Sequence, residues 1–175
     1  SSAASDVYKR QLIHDDVMDR SELRRGIPTA HRILAHRLQG RPDAEALGTN
    51  TAILLGDLAL AWSYELLHTP DLTSSQLAAV RPVLNIARIE TMVGQHLDLV
   101  AARQVSTGVD VAWRIIRLKT TEYTFDRPLQ LGAVLAGANS DQLHALSAYA
   151  HPLGDAFQLR DDLLGVFGDP RHTGK

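Results

Sequence analysis

The chain has 175 residues, of which 45% are hydrophobic and 22% charged, and its net charge is −2. This composition indicates a soluble globular protein with a sizeable core, and it excludes intrinsic disorder and a basic nucleic-acid surface. The absence of cysteine excludes disulfides and cysteine-ligated zinc and fits a cytoplasmic location. The most apolar stretch, residues 51–62, contains Asp57 and is shorter than the roughly 20 apolar residues of a membrane span, so no span is predicted.

The periodicity of the chain predicts helices almost throughout. Residues 1–11 are polar and aperiodic and are predicted to be a non-native scar or linker, so we leave them out of the fold. Beyond them, apolar residues recur at three- and four-residue intervals, and strand-like alternation is absent. Pro128 is expected to kink or end its helix. Helix-breaking sequences delimit about six helices joined by short loops, at residues 26–28, 39–43, 68–75, 106–108, 137–141 and 168–170. We therefore predict one all-α bundle over residues 12–175, truncated at both ends.

The first helix carries a cluster of carboxylates. On a helix, Asp15 and Asp19 lie one turn apart on the same face, with Asp16 beside them. Like charges at this spacing cost about 0.2–0.5 kcal/mol per pair, so a bound cation would explain the arrangement. Oxygen-only ligands favour a hard metal such as Mg²⁺, which commonly uses a few carboxylates together with substrate phosphates. The alternative is a solvated acidic face.

A second acidic cluster lies in "GDAFQLRDDLLGVFGD", where an apolar helix leads into the central pair of aspartates. It contains Asp155, Asp161, Asp162 and Asp169. Asp161 lies 146 residues after Asp15, which leaves room for the chain to return antiparallel. Two such clusters facing one cavity would hold several Mg²⁺ ions around a polyanion such as a diphosphate.

Cationic and polar side chains add to this pattern. Arg24 and Arg25 directly follow the first cluster, where they either bind phosphate oxygens bidentately or shield the aspartates. Lys119 and Thr120 lie on an otherwise apolar helix and add a cation and a hydroxyl there. The common alternative to a functional role is a lysine that only extends its charged end to solvent. Gln95 and Asp98, in "GQHLDL", share a helix face. They either belong to the active site or form a hydrogen-bonded pair in the core.

Four ordered motifs, "DDVMDRSELRRG", "GQHLDL", "LKTTEY" and "FQLRDDLLGVFGDPRHTGK", resemble those of the trans-polyprenyl diphosphate synthases, in particular the geranylgeranyl-type and actinobacterial-like members. The resemblance covers residues 12–175 and implies the all-α isoprenoid synthase fold. It implies that three Mg²⁺ ions bind together with the diphosphate. The residues that would hold them are Asp15, Asp16, Asp19, Asp98, Asp161 and Asp162. It implies substrate binding by Arg24, Arg25, Gln95, Lys119 and Lys175. It implies catalytic roles for Lys119, Thr120, Tyr123 and Gln158.

The second motif departs from the family pattern. Gly165 stands where a third aspartate is common, and the next carboxylate is Asp169. The resemblance therefore leaves two roles open for Asp169, metal ligation or support of the loop. In this family, product length depends on side chains four and five positions before the first aspartate, here Gln11 and Arg10, which fall within the predicted scar.

The implied reaction condenses isopentenyl diphosphate with an allylic diphosphate. Mg²⁺ and cationic side chains would stabilise the departing diphosphate, which would also accept the final proton. The resemblance implies a homodimer, with an interface near residues 49–67 and 76–102. Since the family's Gly-Lys-Arg segment and last helices are missing, we expect the 175-residue chain alone to be inactive or poorly folded.

Three other functions remain as alternatives. A class I terpene cyclase shares the fold but carries an Asn/Ser/Glu-type second metal motif, which "DDLLGVFGD" does not match. A histidine-aspartate phosphohydrolase requires a further histidine before His14, and residues 1–13 contain none. A non-catalytic synthase-like subunit would keep the helices for dimerisation alone.

Overall fold

We describe a computed structural model of the chain, which covers residues 12–68, 71–104 and 108–168. Within this part of the chain, almost every residue outside the turns is helical, and the only sheet is a hairpin of two short strands. The predicted all-α class is therefore confirmed. The chain divides into two compact units, which are described separately below: residues 12–68 with 167–168, and residues 71–166.

The first unit contains short elements followed by one long helix. Its elements in chain order are helix α1 (residues 12–18), strand β1 (Leu23–Arg24), strand β2 (Ile27–Pro28), helix α2 (Ala30–Arg37), helix α3 (Ala44–Glu65) and a 3₁₀ turn (Leu66–His68). The predicted breaks at 26–28 and 39–43 both fall between helices. The hairpin was not predicted, because two-residue strands are too short to show alternation in the sequence.

The hairpin turns through Arg25 and Gly26, which have φ values of 53° and 75°. Leu23 pairs with Pro28, and Arg24 with Ile27. A two-residue loop with both φ values positive matches the right-handed twist of the strands that it joins. Glycine adopts this backbone without steric cost, whereas Arg25 does not. The turn thus fixes Arg24 on a strand and Arg25 at the tip.

Helices α2 and α3 pack closely because a glycine lies between them. A Cβ atom at Gly48 would lie 2.7 Å from the backbone N of Ala35 and 2.7 Å from the carbonyl O of His31. Ala35 and Ala52 are buried beside it. Small residues at this crossing therefore let the two backbones approach.

The second unit consists of long helices and one π-helical segment. In chain order, its elements are helix α4 (Ser74–Ala101), helix α5 (Val109–Ile115), the π-helical segment (Ile116–Asp126), helix α6 (Arg127–Leu135) and helix α7 (Ser140–Phe167, of which residues up to 166 belong to this unit). Thr73 begins α4 with a reciprocal capping box to Gln76, which satisfies two backbone donors at the helix start. The predicted breaks at 68–75 and 137–141 agree with these bounds.

Pro128 changes the hydrogen-bond register of its helix without ending the helical run. The π-helical segment gives way to α6 at Arg127, so that Pro128 occupies the first turn of an α-helix. A missing N–H is tolerated there, because first-turn donors have no partner within the helix. Pro82 and Pro152 lie inside α4 and α7, which both continue past them.

Helix α4 carries two apolar stripes: the first, with Val80, Leu84 and Ala87, forms core, and the second, with Ile86, Ile89 and Val93, does not. Val80, Leu84 and Ala87 are buried, whereas Ile89 is 62% exposed. The second stripe is thus available for a partner. None of the described helices combines the length and apolarity needed to cross a membrane.

Candidate active site

The first acidic cluster is organised by one arginine. Arg24 Nε donates to Asp16 Oδ1 at 2.8 Å, and Arg24 Nη2 donates to Asp15 Oδ2 at 3.1 Å. Asp16 is 5% exposed, and Asp19, which follows α1 directly, is exposed. The Asp19 backbone N–H donates to the Asp15 carbonyl at 2.9 Å, which preserves the one-turn spacing predicted from the sequence. Arg24 therefore pairs with both Asp15 and Asp16 in this structure.

This guanidinium is strongly held in its charged form. The hydrogen bond to Asp16 raises the pKa of Arg24, burial lowers it, and the charges of Asp16 and Asp15 raise it further. The hairpin positions the group, and Thr29 closes the hairpin by donating from Oγ1 to the Ser21 carbonyl at 2.7 Å. The strand pairing thus places a cation on the carboxylates.

His14, for which the sequence suggested no role, joins α1 to α3. Its Nε2 lies 3.0 Å from the Ile53 carbonyl and 3.4 Å from Asp57 Oδ1. A Cβ at Gly56 would lie 2.3 Å from the same nitrogen. The position of α1, and with it the aspartates, depends on this contact. In the sequence, the signal of this contact is that Gly56 and Asp57 interrupt an apolar run.

A chain of hydrogen bonds connects three of the predicted residues in the second unit. Thr120 Oγ1 donates to Gln158 Oε1 at 2.6 Å, and Gln158 Nε2 donates to Asp162 Oδ1 at 2.7 Å. Thr120 lies in the π-helical segment, and the other two residues lie one turn apart on α7. The structure thus joins the Lys-Thr motif to the second acidic motif.

Lys119 and Asp98 form a direct ion pair. Lys119 Nζ donates to Asp98 Oδ2 at 2.6 Å, and both side chains are partly exposed. Gln95, one turn before Asp98 on α4, is 3% exposed. The predicted "GQHLDL" and "LKTTEY" motifs therefore meet through Lys119 and Asp98.

Two glycines allow the π-helical segment to fit between its neighbours. A Cβ at Gly94 of α4 would lie 2.7 Å from the backbone N of Lys119. A Cβ at Gly154 of α7 would lie 2.8 Å from the Cα of Thr121. Lys119 and Thr120 are thus held by close backbone contact at both flanks. A π-helical turn often marks a functional position, and here it carries the lysine and the threonine.

A network of side chains that was not predicted from the sequence fixes this segment on α7. Arg117 pairs bidentately with Asp155, with Nη2 to Oδ2 at 2.8 Å and Nε to Oδ1 at 3.1 Å. Thr121 Oγ1, which is fully buried, donates to Asp155 Oδ1 at 2.8 Å. The hydrogen bond to Asp155 raises the pKa of Arg117. Asp155 was seen only as part of the acidic cluster, because nothing in the sequence indicates its partners.

The remaining predicted residues differ in their exposure. Asp161 is exposed on α7, Tyr123 is half-buried in the π-helical segment, and Arg25 is exposed at the hairpin tip. Several residues discussed above lie outside the described residues: Arg10, Gln11, Asp169 and Lys175.

The donor set of both acidic clusters suits a hard divalent cation. Asp15, Asp16, Asp161 and Asp162 offer only carboxylate oxygens, which Mg²⁺ prefers. In the first cluster, Asp16 is buried beside the Arg24 guanidinium.

Comparison with known proteins identifies the family. The family model described as polyprenyl synthetase matches residues 6–175. The geranylfarnesyl diphosphate synthase of Aeropyrum pernix is 35% identical over 167 residues, which are 94% of this chain and 48% of that protein. The geranylgeranyl diphosphate synthase of Mycobacterium tuberculosis is 36% identical over 177 residues, covering 100% of this chain and 46% of the relative. The chain thus spans about half the length of these relatives.

Solved structures agree. The geranylgeranyl pyrophosphate synthase of Corynebacterium glutamicum, complexed with isoprenyl diphosphate and magnesium, is 43% identical and superposes with a TM-score of 0.93 over 99% of this chain and 49% of its own. The geranyltransferase of Helicobacter pylori, complexed with magnesium and isoprenyl diphosphate, is 25% identical with a TM-score of 0.81, over 98% of this chain and 54% of its own. These matches confirm the resemblance seen in the four motifs. The chain belongs to the polyprenyl synthetase family.

Proposed function

We propose that the protein containing this chain is a trans-prenyltransferase that condenses isopentenyl diphosphate with an allylic diphosphate. The observation that carries the proposal is the pairing of Arg24 with buried Asp16 and partly buried Asp15, in a chain whose solved relatives were complexed with isoprenyl diphosphate and magnesium. A class I terpene cyclase is not favoured, because the matched relatives are diphosphate synthases.

Mg²⁺ fits the carboxylate oxygens of both clusters, and we propose that three ions bind with the diphosphate. The residues that would hold them are Asp15, Asp16, Asp19, Asp98, Asp161 and Asp162. When bound, the metal supplies Lewis acidity and charge neutralisation for the departing diphosphate.

The side chains of this chain prepare the site for that anion. Arg24 is held ready on Asp15 and Asp16, and it would turn to the diphosphate once the aspartates have bound metal. A planar guanidinium can then bind two phosphate oxygens at once. Arg25 at the hairpin tip and Lys175 would add further positive charge to the substrate site.

The π-helical segment would position the second group of contacts. Lys119, whose Nζ lies 2.6 Å from Asp98, would bind the allylic diphosphate in exchange for that partner. Gln158 orients Thr120 through their 2.6 Å hydrogen bond. The ring of Tyr123 would stabilise the allylic cation through its negative face. Gln95, which is buried, would add a further polar group to the substrate site.

We also propose that the protein forms a homodimer. On α4, Ile89 and Met92 are 62% and 55% exposed. On α3, Leu54 and Trp62 are 67% and 58% exposed. Exposed apolar surface of this extent favours a protein partner. Sedimentation of the complete protein should give a dimer, and Ile89→Glu should give monomers. A dimer of unchanged affinity in that variant would contradict this interface.

The test of the proposed activity is a prenyl-transfer assay on the protein encoded by the complete reading frame. Labelled isopentenyl diphosphate, an allylic diphosphate and Mg²⁺ should give a longer, acid-labile prenyl diphosphate. Asp16→Asn should lower kcat by at least about 100-fold, since it removes charge where metal and diphosphate meet. The matched control is Asp71→Asn, an exposed aspartate of a loop, which should retain full activity.

Three outcomes would count against the proposal. A cyclic hydrocarbon formed from the allylic diphosphate alone would indicate a cyclase. Binding of diphosphate without transfer would indicate a non-catalytic subunit. Equal activity of Asp16→Asn and Asp71→Asn would show that the first cluster does not act in the reaction.

A further inference from the structure

A second group of potential metal ligands lies in the second unit, apart from all the residues assigned above. Glu122 and Asp126 of the π-helical segment and His151 of α7 each direct a ligand atom toward the others, and these three atoms lie within 4.8 Å of one another. His151 Nε2 is 3.2 Å from Glu122 Oε1. The side chain of Asp126 is 1% exposed, that of Glu122 13% and that of His151 33%.

The nearby positive charge is already engaged. Arg127 donates to Glu90 through two bonds, Nε to Oε2 at 2.7 Å and Nη2 to Oε1 at 2.6 Å. Its Nη1 donates to Asp126 Oδ2 at 2.9 Å. Nη2 also lies 3.1 Å from Glu122 Oε2, but that oxygen accepts no hydrogen bond. One guanidinium therefore faces three carboxylates, which leaves two negative charges uncompensated when His151 is neutral.

One oxygen of the group is buried without a partner. Asp126 Oδ2 accepts hydrogen bonds from Arg127 and Gln130, whereas Asp126 Oδ1 accepts none. A buried carboxylate oxygen without a donor or a cation is costly. Burial also raises the pKa of Glu122, and the charges of Glu90 and Asp126 raise it further, whereas Arg127 and His151 lower it. The local field thus favours uptake of positive charge.

We propose that Glu122, Asp126 and His151 bind a divalent transition metal of the zinc type, at a site distinct from the aspartates of the two acidic motifs. An imidazole nitrogen with two carboxylates suits Zn²⁺ or Co²⁺, whereas Mg²⁺ takes oxygen ligands almost exclusively. A tetrahedral ion with bonds of about 2.1 Å places its ligands roughly 3.4 Å apart. His151 Nε2 and Glu122 Oε1 already lie 3.2 Å apart, and the atoms of the other pairs, which lie within 4.8 Å, need to approach by at most about 1.4 Å.

The site would leave Arg127 on Glu90 and relieve the charge on the other two carboxylates. The exposed third of His151 provides an entry path and room for a water as fourth ligand. A bound ion would join the π-helical segment to α7, the elements that carry Thr120 and Gln158. The proposal does not rest on the prenyl-transfer activity, because neither the ligands nor the readouts below involve substrate.

The experiment measures metal binding by the purified, chelator-treated protein without any diphosphate and with excess Mg²⁺ present. Titration with Co²⁺ should develop the visible absorption of nitrogen-coordinated cobalt and saturate at one equivalent per chain. Zn²⁺ should displace the cobalt and raise the melting temperature. His151→Gln should weaken binding by more than about 100-fold, above the range for loss of an outer-shell partner.

Two control variants separate this site from others. His144→Gln removes an exposed histidine of the same helix, and Asp19→Asn removes an exposed carboxylate of the first acidic motif. Both should bind Co²⁺ as tightly as the parent protein. If His151→Gln loses its helical circular dichroism, Glu122→Gln replaces it, and that variant should lose the Zn²⁺-dependent rise in melting temperature.

The proposal fails if Co²⁺ binds the parent protein and His151→Gln equally well, or binds neither. The second result would mean that the cluster takes up a proton in place of a metal. It also fails if only Asp19→Asn weakens binding, because the metal would then belong to the first acidic motif.

Discussion

Replacing Gly94 by alanine tests whether close backbone contact positions Lys119. The new Cβ would lie 2.7 Å from the Lys119 backbone N, 2.9 Å from the Leu118 carbonyl C and 3.0 Å from the Leu118 Cβ. Ordinary contacts begin at 3.4 Å, so the backbone of the π-helical segment must withdraw by about 0.7 Å. Backbone cannot rotate away as the end of a side chain can.

The expected energy follows from two opposing terms. Alanine favours a helix interior over glycine by about 1 kcal/mol, and overpacking of a close contact costs about 1–3 kcal/mol. Gly132→Ala provides the matched control, because it lies inside α6 and a Cβ there meets no atom within 4 Å. The helix term is common to both variants. The difference in their free energies of unfolding should therefore be the cost of the clash alone, about 1–3 kcal/mol.

Urea denaturation followed by circular dichroism measures this difference, with unchanged m values as the check that both variants unfold alike. A second measurement is prenyl transfer by the complete protein. Since displacement of a catalytic group by about 1 Å can cost roughly 100-fold in rate, Gly94→Ala should lose activity while Gly132→Ala keeps it. Equal stabilities, within about 0.5 kcal/mol, would refute the steric argument whatever the activity.

Three further variants test other contacts. Gly48→Ala should lower stability by about 1–3 kcal/mol in thermal or urea unfolding, because its Cβ meets the Ala35 backbone at 2.7 Å; a more stable variant would show that α2 can move away. Arg127→Ala should cost about 3–5 kcal/mol in chelator-treated protein, since three carboxylates lose their shared cation, and a loss below about 1 kcal/mol would contradict the described ion pairs. Thr73→Ala should cost about 1 kcal/mol through loss of the capping box with Gln76; an unchanged urea midpoint would show that the cap contributes nothing.

The helices and their ends were readable from the chain because they depend on local signals. Apolar spacing and the glycine and proline clusters predicted the breaks, and Val80, Leu84 and Ala87 form the buried stripe. The hairpin at residues 23–28 was missed, and the change of register before Pro128 could not be foreseen. Both features depend on which hydrogen bonds a few backbone groups form, and the alternative bonding patterns have nearly equal free energies.

The candidate site stays a prediction from residue type, and the partner of each side chain could not be predicted. The paired aspartates and the lysine were singled out by their residue type and spacing, and they lie in motifs that follow one another in a recognisable order. Nothing local indicates that Asp155 holds Arg117 and Thr121, or that His14 contacts α3. Such pairs form between residues that are far apart in the chain, and a single sequence does not indicate which residues will pair.

By itself, the sequence determined the helical class, the positions of the acidic motifs and the family resemblance, because periodicity and short motifs are properties of neighbouring residues. The tertiary structure decided which charges meet. It placed Arg24 on Asp15 and Asp16, Lys119 on Asp98, and His151 beside Glu122. Electrostatic energy depends on distance and burial, and packing of the helices fixes both.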